Sequence, residues 1–201
     1  MGDRTLLTVL DQSLDAMRRS GVPHGLIGGI ASVVLGRARW TRSHEDIDFF
    51  VRHEDAEVAL EVLSTAGFET EEHNPQWIFK ATKDGVLVDV IFRSTGDIYM
   101  DDEMIERIRE EEFRDRVVPL ISPEDLLVMK ALAHDEETFT YWHDALGLVA
   151  RDDLDWKYVV RRARRHGPRR ILSLLLYAGS VDLVVPADVI DDLYRTVRAA
   201  T

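Results

Sequence analysis

Thr41-Arg42-Ser43-His44-Glu45-Asp46-Ile47-Asp48-Phe49-Phe50-Val51 is the stretch on which the reading of this chain turns. From Ile47 to Val51 it has the branched and aromatic composition of a strand. Alternation then sends Asp46 and Asp48 to one face of that strand, and Ile47 and Phe49 to the other. A further strand pattern, Val86-Leu87-Val88-Asp89-Val90-Ile91-Phe92, carries an acid on the row of Leu87 and Ile91. Burying an unpaired carboxylate there is costly. If the two strands are neighbours, three carboxylates converge, and a divalent cation relieves their repulsion. Hard oxygen donors of this kind suit Mg²⁺. Taken singly, an Asp-x-Asp at a strand end is ordinary loop-edge chemistry, and Asp89 could pair with an arginine. The combination carries the reading.

Working outward, Leu6, Leu10, Leu14 and Met17 recur at helical spacing, and Gly21 ends that helix. Gly25 to Ile27 is a short strand running into Gly28-Gly29. Ala56, Ala59, Leu60 and Leu63 mark a helix that stops at Gly67. Trp77–Ala81 and Val86–Phe92 flank Lys83-Asp84-Gly85, a hairpin turn because Asp-Gly tolerates positive φ. The predicted order is helix, strand, helix, strand, helix and hairpin. The character changes at Ser122-Pro123-Glu124-Asp125, which combines a cap, a proline at the first helical position and an acid three residues on. Helices are expected over 123–134, 138–150, 155–166, 168–178 and 187–199. The fold class is therefore α+β. Residues 1–121 form an α/β lobe with a mixed sheet flanked by helices, and residues 122–201 form a helical lobe.

Composition narrows the function. Of 201 residues, 45% are apolar and 31% charged, which supports a packed core and excludes a disordered chain. The absence of cysteine excludes disulfides, thiolate metal sites and a cysteine nucleophile. The longest nearly apolar run, Leu26 to Gly36, is about half of the ~20 residues that a membrane-spanning helix requires. The N-terminus shows an amphipathic pattern instead of a signal segment, so a cytoplasmic location without a membrane partner is expected. A net charge of −12 should repel nucleic acid and anionic membranes from the molecule as a whole. The charge is uneven, with eight acids between Asp101 and Asp115 but seven bases and no acid between Lys157 and Arg170. A solvated helix side is the ordinary reading of such a run, and an anion-binding face is the functional one.

Ile27-Gly28-Gly29, Asp46-Ile47-Asp48 and Val88-Asp89-Val90, in that order, resemble the signature of the DNA-polymerase-β superfamily of nucleotidyltransferases. Gly36-Arg37 and Thr41-Arg42-Ser43-His44-Glu45-Asp46-Ile47-Asp48 resemble more sharply the lincosamide and aminoglycoside adenylyltransferase branch, with a short insertion between the two motifs. The likeness is good over residues 20–95 and looser beyond Ser122, where Lys130 and Asp144 match only a degenerate pattern. It implies the nucleotidyltransferase fold. It also implies transfer of a nucleoside monophosphate, AMP first among them, from a nucleoside triphosphate such as ATP to a hydroxyl acceptor. Asp46, Asp48 and Asp89 would then hold Mg²⁺ in a two-metal site, with base catalysis as the other role for Asp89. Gly28 and Gly29 would let backbone approach the phosphates, while Ser32, Arg42 and His44 would contact phosphate or brace the loop.

Lys130 lies on a helix that is apolar almost all round, projecting between Leu126 and Leu127. A phosphate-facing role is ranked just ahead of a side chain snorkelling to solvent. For Asp144, an exposed helical acid ranks ahead of a role in orienting Lys130. Trp77 and Tyr141 read as core before they read as base-stacking platforms.

The implied acceptor is a small hydroxylated molecule such as an aminoglycoside or a lincosamide, which would make this an antibiotic-resistance enzyme. The alternative is a toxin-like nucleotidyltransferase acting on tRNA or protein, toward which the basic run points. A non-catalytic nucleotide-binding regulatory protein of the same fold is disfavoured, because a binding module has no need of a repulsive acidic triad. No residue pattern reads a base edge, so the identity of the nucleotide stays open, as does the oligomeric state.

Overall fold

A computed structural model describes residues 3–36, 46–133 and 140–200. The architecture is the α+β one expected, with a mixed seven-stranded sheet and, among the described residues, nine α-helices. The chain divides into two compact units. The first lies within residues 1–34, 39–94 and 99–121, and the second within 35–38, 95–98 and 122–201.

In the first unit, α1 (Asp3–Ser20) precedes β1 (His24–Leu26), and α2 (Gly28–Gly36) starts at the Gly-Gly pair. Then come β2 (Ile47–Val51), α3 (Ala56–Thr65), β3 (Glu69–Asn74), β4 (Ile78–Lys83) and β5 (Val86–Ile91). A short α4 (Asp102–Glu106) and the hairpin β6 (Arg109–Phe113) and β7 (Arg116–Leu120) complete it. The strand order is β3-β4-β5-β2-β1-β7-β6. β2 runs parallel to β5 and antiparallel to β1, and β1 runs parallel to β7. Both α1 and α3 pack against this sheet. Ile47, Phe49, Val88, Val90, Phe79 and Ala81 form buried rows, as the period-2 pattern requires.

Three strands were not expected from sequence. β3 reads Glu-Thr-Glu-Glu-His-Asn and β6 reads Arg-Glu-Glu-Glu-Phe, so neither shows apolar alternation. Both are edge strands of the sheet, where charge protects an open ladder from pairing with another chain. β7 contains Pro119, which argues against a strand between two neighbours.

His24 on β1 supplies a pH dependence. Its Nδ1 lies 2.7 Å from the Val22 carbonyl, its Nε2 is buried without a hydrogen-bond partner, and its ring meets Phe49 edge-on. Burial holds the imidazole below its usual value of 6.5, against the pull of the Val22 carbonyl. The unfolded chain therefore takes up this proton at a higher pH than the folded chain. Stability is full above the unfolded pKa and falls as the pH drops through it toward the folded one. Denaturant melts at pH 7.5 and 5.5 should show this loss, and His24→Phe should reduce it. Equal pH sensitivity in wild type and variant would count against the assignment.

The second unit is built on α5 (Pro123–Ala133), which is buried from Pro123 to Ala131. Around it pack α6 (Thr140–Val149), α7 (Trp156–His166) and α8 (Pro168–Ser180), while α9 (Ala187–Ala199) packs on α7 and α8. A helix enclosed on all sides is apolar all round, and its few polar groups must find partners. The Ser122 hydroxyl accepts from the Asp125 backbone N–H at 3.1 Å, the expected cap, and donates to Asp125 Oδ2 at 2.8 Å. The Tyr158 hydroxyl donates to the same carboxylate at 2.9–3.0 Å. Arg162 Nε stands 3.0 Å from Asp125 Oδ1, a charge contact without the angle of a hydrogen bond. The basic run spans α7 and the start of α8, with Arg162 turned inward on α7 and Arg164 met by Asp192 and Thr196.

Candidate active site

The site grows from the register of two neighbouring strands. In the parallel pair β2–β5, Asp48 is level with Asp89, and in the antiparallel pair β4–β5, Lys80 is opposite Asp89. Glu71 on β3 is in turn opposite Lys80. Residues opposite one another in paired strands project to the same face. A charged row therefore crosses four strands in the order Glu71, Lys80, Asp89, Asp48. Asp46 stands immediately before β2 and is close enough to act electrostatically on Asp89.

Asp89 is 8% exposed. Lys80 Nζ donates to both of its oxygens, at 3.1 and 3.4 Å. Burial pushes the Asp89 carboxyl above its usual range, the bond and charge of Lys80 pull it back, and the negative charge of Asp46 raises it further. Lys80 is the residue that sequence reasoning missed. The signal was present, because a two-residue turn at Asp84-Gly85 pairs Lys83 with Val86, and three steps along the ladder Lys80 meets Asp89.

The Gly-Gly segment is held against the acids. The Ile27 N–H donates to the Asp48 carbonyl at 2.9 Å, and Gly28 has φ +61°. A Cβ at Gly28 would stand 2.6 Å from Asp48 Cγ, so glycine is what lets this carboxylate lie over the turn. Gly28→Ala should cost about 1–2 kcal/mol for the left-handed backbone alone and should displace the Asp48 side chain. We expect a lower melting temperature; a melt unchanged from the wild type would show that this turn does not need glycine. Ser32 is buried at the second turn of α2, and its hydroxyl donates to the Gly28 carbonyl at 2.8 Å, so its proton is used within its own helix.

The carboxylates of Asp46 and Asp48 fit a hard cation, since Mg²⁺ is commonly held by one or two carboxylates and completed by substrate phosphates. Among the described residues, no group of three His, Cys, Asp or Glu side chains is arranged to hold a metal ion. Arg42 and His44 lie outside the described residues.

In the second unit, Lys130 Nζ donates to Asp144 Oδ2 at 2.9 Å and stands 4.6 Å from the centre of the Tyr141 ring. Lys130 and Asp144 are each 7% exposed. The reading of Asp144 as an exposed helical acid is thereby corrected: a lysine enclosed on α5 needs a counter-charge, and Asp144 supplies it. Trp77 is corrected as well, being 41% exposed at the β4 end of the hairpin and not core.

A family model described as "Uncharacterised nucleotidyltransferase" matches residues 1–179. No curated protein matches the chain in sequence at a significant level. Among solved structures, ANT(2")-Ia in complex with adenylyl-2"-tobramycin is 17% identical with a TM-score of 0.53, over 88% of this chain and 98% of that one. An antigenic nucleotidyltransferase-like protein from Paracoccidioides brasiliensis is 15% identical with a TM-score of 0.54, over 96% of this chain and 94% of its own. The lincosamide antibiotic adenylyltransferase LnuA, bound to lincomycin, is 20% identical with a TM-score of 0.49, over 74% of this chain and 96% of that one. At these identities the first two likenesses speak for the fold.

Proposed function

We propose, on the premise that this chain belongs to the nucleotidyltransferase family, that it transfers AMP from ATP to a hydroxyl group of a small cationic acceptor. The observation that carries this reading is the register that sets Asp48 beside Asp89, with Asp46 within electrostatic reach. Asp46 and Asp48 would hold a divalent cation, which would supply charge neutralisation for the triphosphate. The acceptor oxygen forms a bond to the α-phosphorus, the bond from that phosphorus to the bridging oxygen breaks, and pyrophosphate leaves. The hydroxyl proton passes to the Asp89 carboxylate, whose raised pKa suits a proton acceptor. Gly28 keeps the Asp48 carboxylate seated over the turn that precedes α2.

The acceptor class rests on charge. The chain carries a net −12, and exposed Glu69, Glu71 and Glu72 line β3 beside the hairpin that bears Lys80. Such a field attracts polyamine-like sugars and repels RNA. The adenylyl-2"-tobramycin complex of ANT(2")-Ia, similar in fold, accords with a small hydroxylated acceptor.

The test is a transfer assay with each of the four α-labelled nucleoside triphosphates and Mg²⁺. Pooled aminoglycosides, pooled lincosamides and total tRNA serve as separate acceptors. Label from ATP on an aminoglycoside, weakening as salt rises, is the expected result. Label on tRNA would move the acceptor to nucleic acid. Nucleotide binding without transfer to any acceptor would favour a regulatory protein.

A further inference from the structure

Lys80 is a cation already built into the acidic face, and that has a consequence for the number of metal ions. Its Nζ is shared between the two Asp89 oxygens, with the lysine side chain 24% and the aspartate side chain 11% exposed. The pairing is fixed by the hairpin, because β4 and β5 are in continuous register from Lys83–Val86 to Ile78–Ile91. The ladder thus keeps the Lys80 backbone opposite Asp89, within reach of its carboxylate. A side chain opposite Asp89 on its non-hairpin neighbour is Asp48, which adds negative charge to the row. An ammonium bridging both Asp89 oxygens supplies the positive charge with which a second metal ion would balance this acid, while lone pairs remain on the carboxylate to take up a proton.

We propose that Lys80 takes the place of one cation of a two-metal site. It acts as a positioning residue that holds Asp89 in the row, and leaves Asp46 and Asp48 to bind a single divalent ion with the nucleotide. The assignment rests on the nucleotidyltransferase reading above. A purely structural lysine would only neutralise a buried acid; Lys80 additionally decides how many ions the site takes.

Counting Mn²⁺ by electron paramagnetic resonance, in the presence of a non-hydrolysable ATP analogue, tests this on the intact protein. The wild type should take up one ion per chain at saturation. Lys80→Met frees the Asp89 carboxylate and should raise the count to two. Transfer by this variant should lose about 10- to 100-fold in kcat with little change in the KM for nucleotide. Lys80→Arg keeps the charge and should hold the count at one with partial recovery of kcat. Two ions in the wild type would overturn the assignment while leaving nucleotidyl transfer intact. A complete absence of Mn²⁺ and nucleotide binding would overturn the proposed function and this assignment together. The wild-type count decides the matter even if Lys80→Met fails to fold.

Discussion

Asp48→Asn should leave the fold intact and lower nucleotidyl transfer by about 10³-fold or more. The change keeps the shape of the side chain, and the backbone carbonyl of Asp48 still accepts from the Ile27 N–H. What is lost is one of the two hard anionic donors on the site face. With one anionic donor gone, a divalent cation would be held less tightly and would neutralise less of the charge that develops on the triphosphate in the transition state. Steady-state transfer, read beside a thermal melt, separates the two effects. A variant that melts with the wild type and transfers at more than a tenth of its rate would contradict the assignment of Asp48.

The second large effect is on stability. Asp125→Ala should destabilise the helical unit by about 3–5 kcal/mol, the usual range when one partner of a buried ion pair is removed. Asp125 is 1% exposed, and its carboxylate receives the Ser122 and Tyr158 hydroxyls while facing Arg162 across 3.0 Å. Deleting it leaves those donors in a dry environment and removes the acid that completes the cap of α5. Tyr158→Phe, which removes one neutral donor, should cost about 1 kcal/mol. Urea unfolding followed by far-ultraviolet circular dichroism measures both. Equal, small losses for the two variants would show that this network contributes little.

Much of this fold was legible because local signals agreed with one another. The helix start at Ser122, the hairpin at Asp84-Gly85 and the strand at Ile47–Val51 each rest on side chains that leave the backbone few alternatives. The edge strands β3 and β6 were not legible, because solvent on one side removes the apolar alternation by which strands are recognised. The site was legible to the extent that it depends on spacing. Asp46 and Asp48 follow from period two, and the level of Asp89 follows once β2 and β5 are neighbours.

Partnership across the fold was harder to read. Lys130 and Asp144 sit on different helices, and nothing in either helix's own pattern shows that the second would be buried to meet the first. Lys80 was recoverable from hairpin register, yet a lysine in an alternating strand ordinarily reads as a solvent-facing residue. Its meaning comes only from the acid opposite it.

In the proposed reaction the nucleoside monophosphate, with the α-phosphorus, moves to the acceptor and pyrophosphate departs. The most direct measurement compares ATP labelled at the α position with ATP labelled at the γ position, in otherwise identical reactions with the acceptor identified by the assay above. α label should appear on the acceptor and γ label only in pyrophosphate. Transfer of γ label to the acceptor, with α label left in ADP, would make the protein a kinase and contradict nucleotidyl transfer.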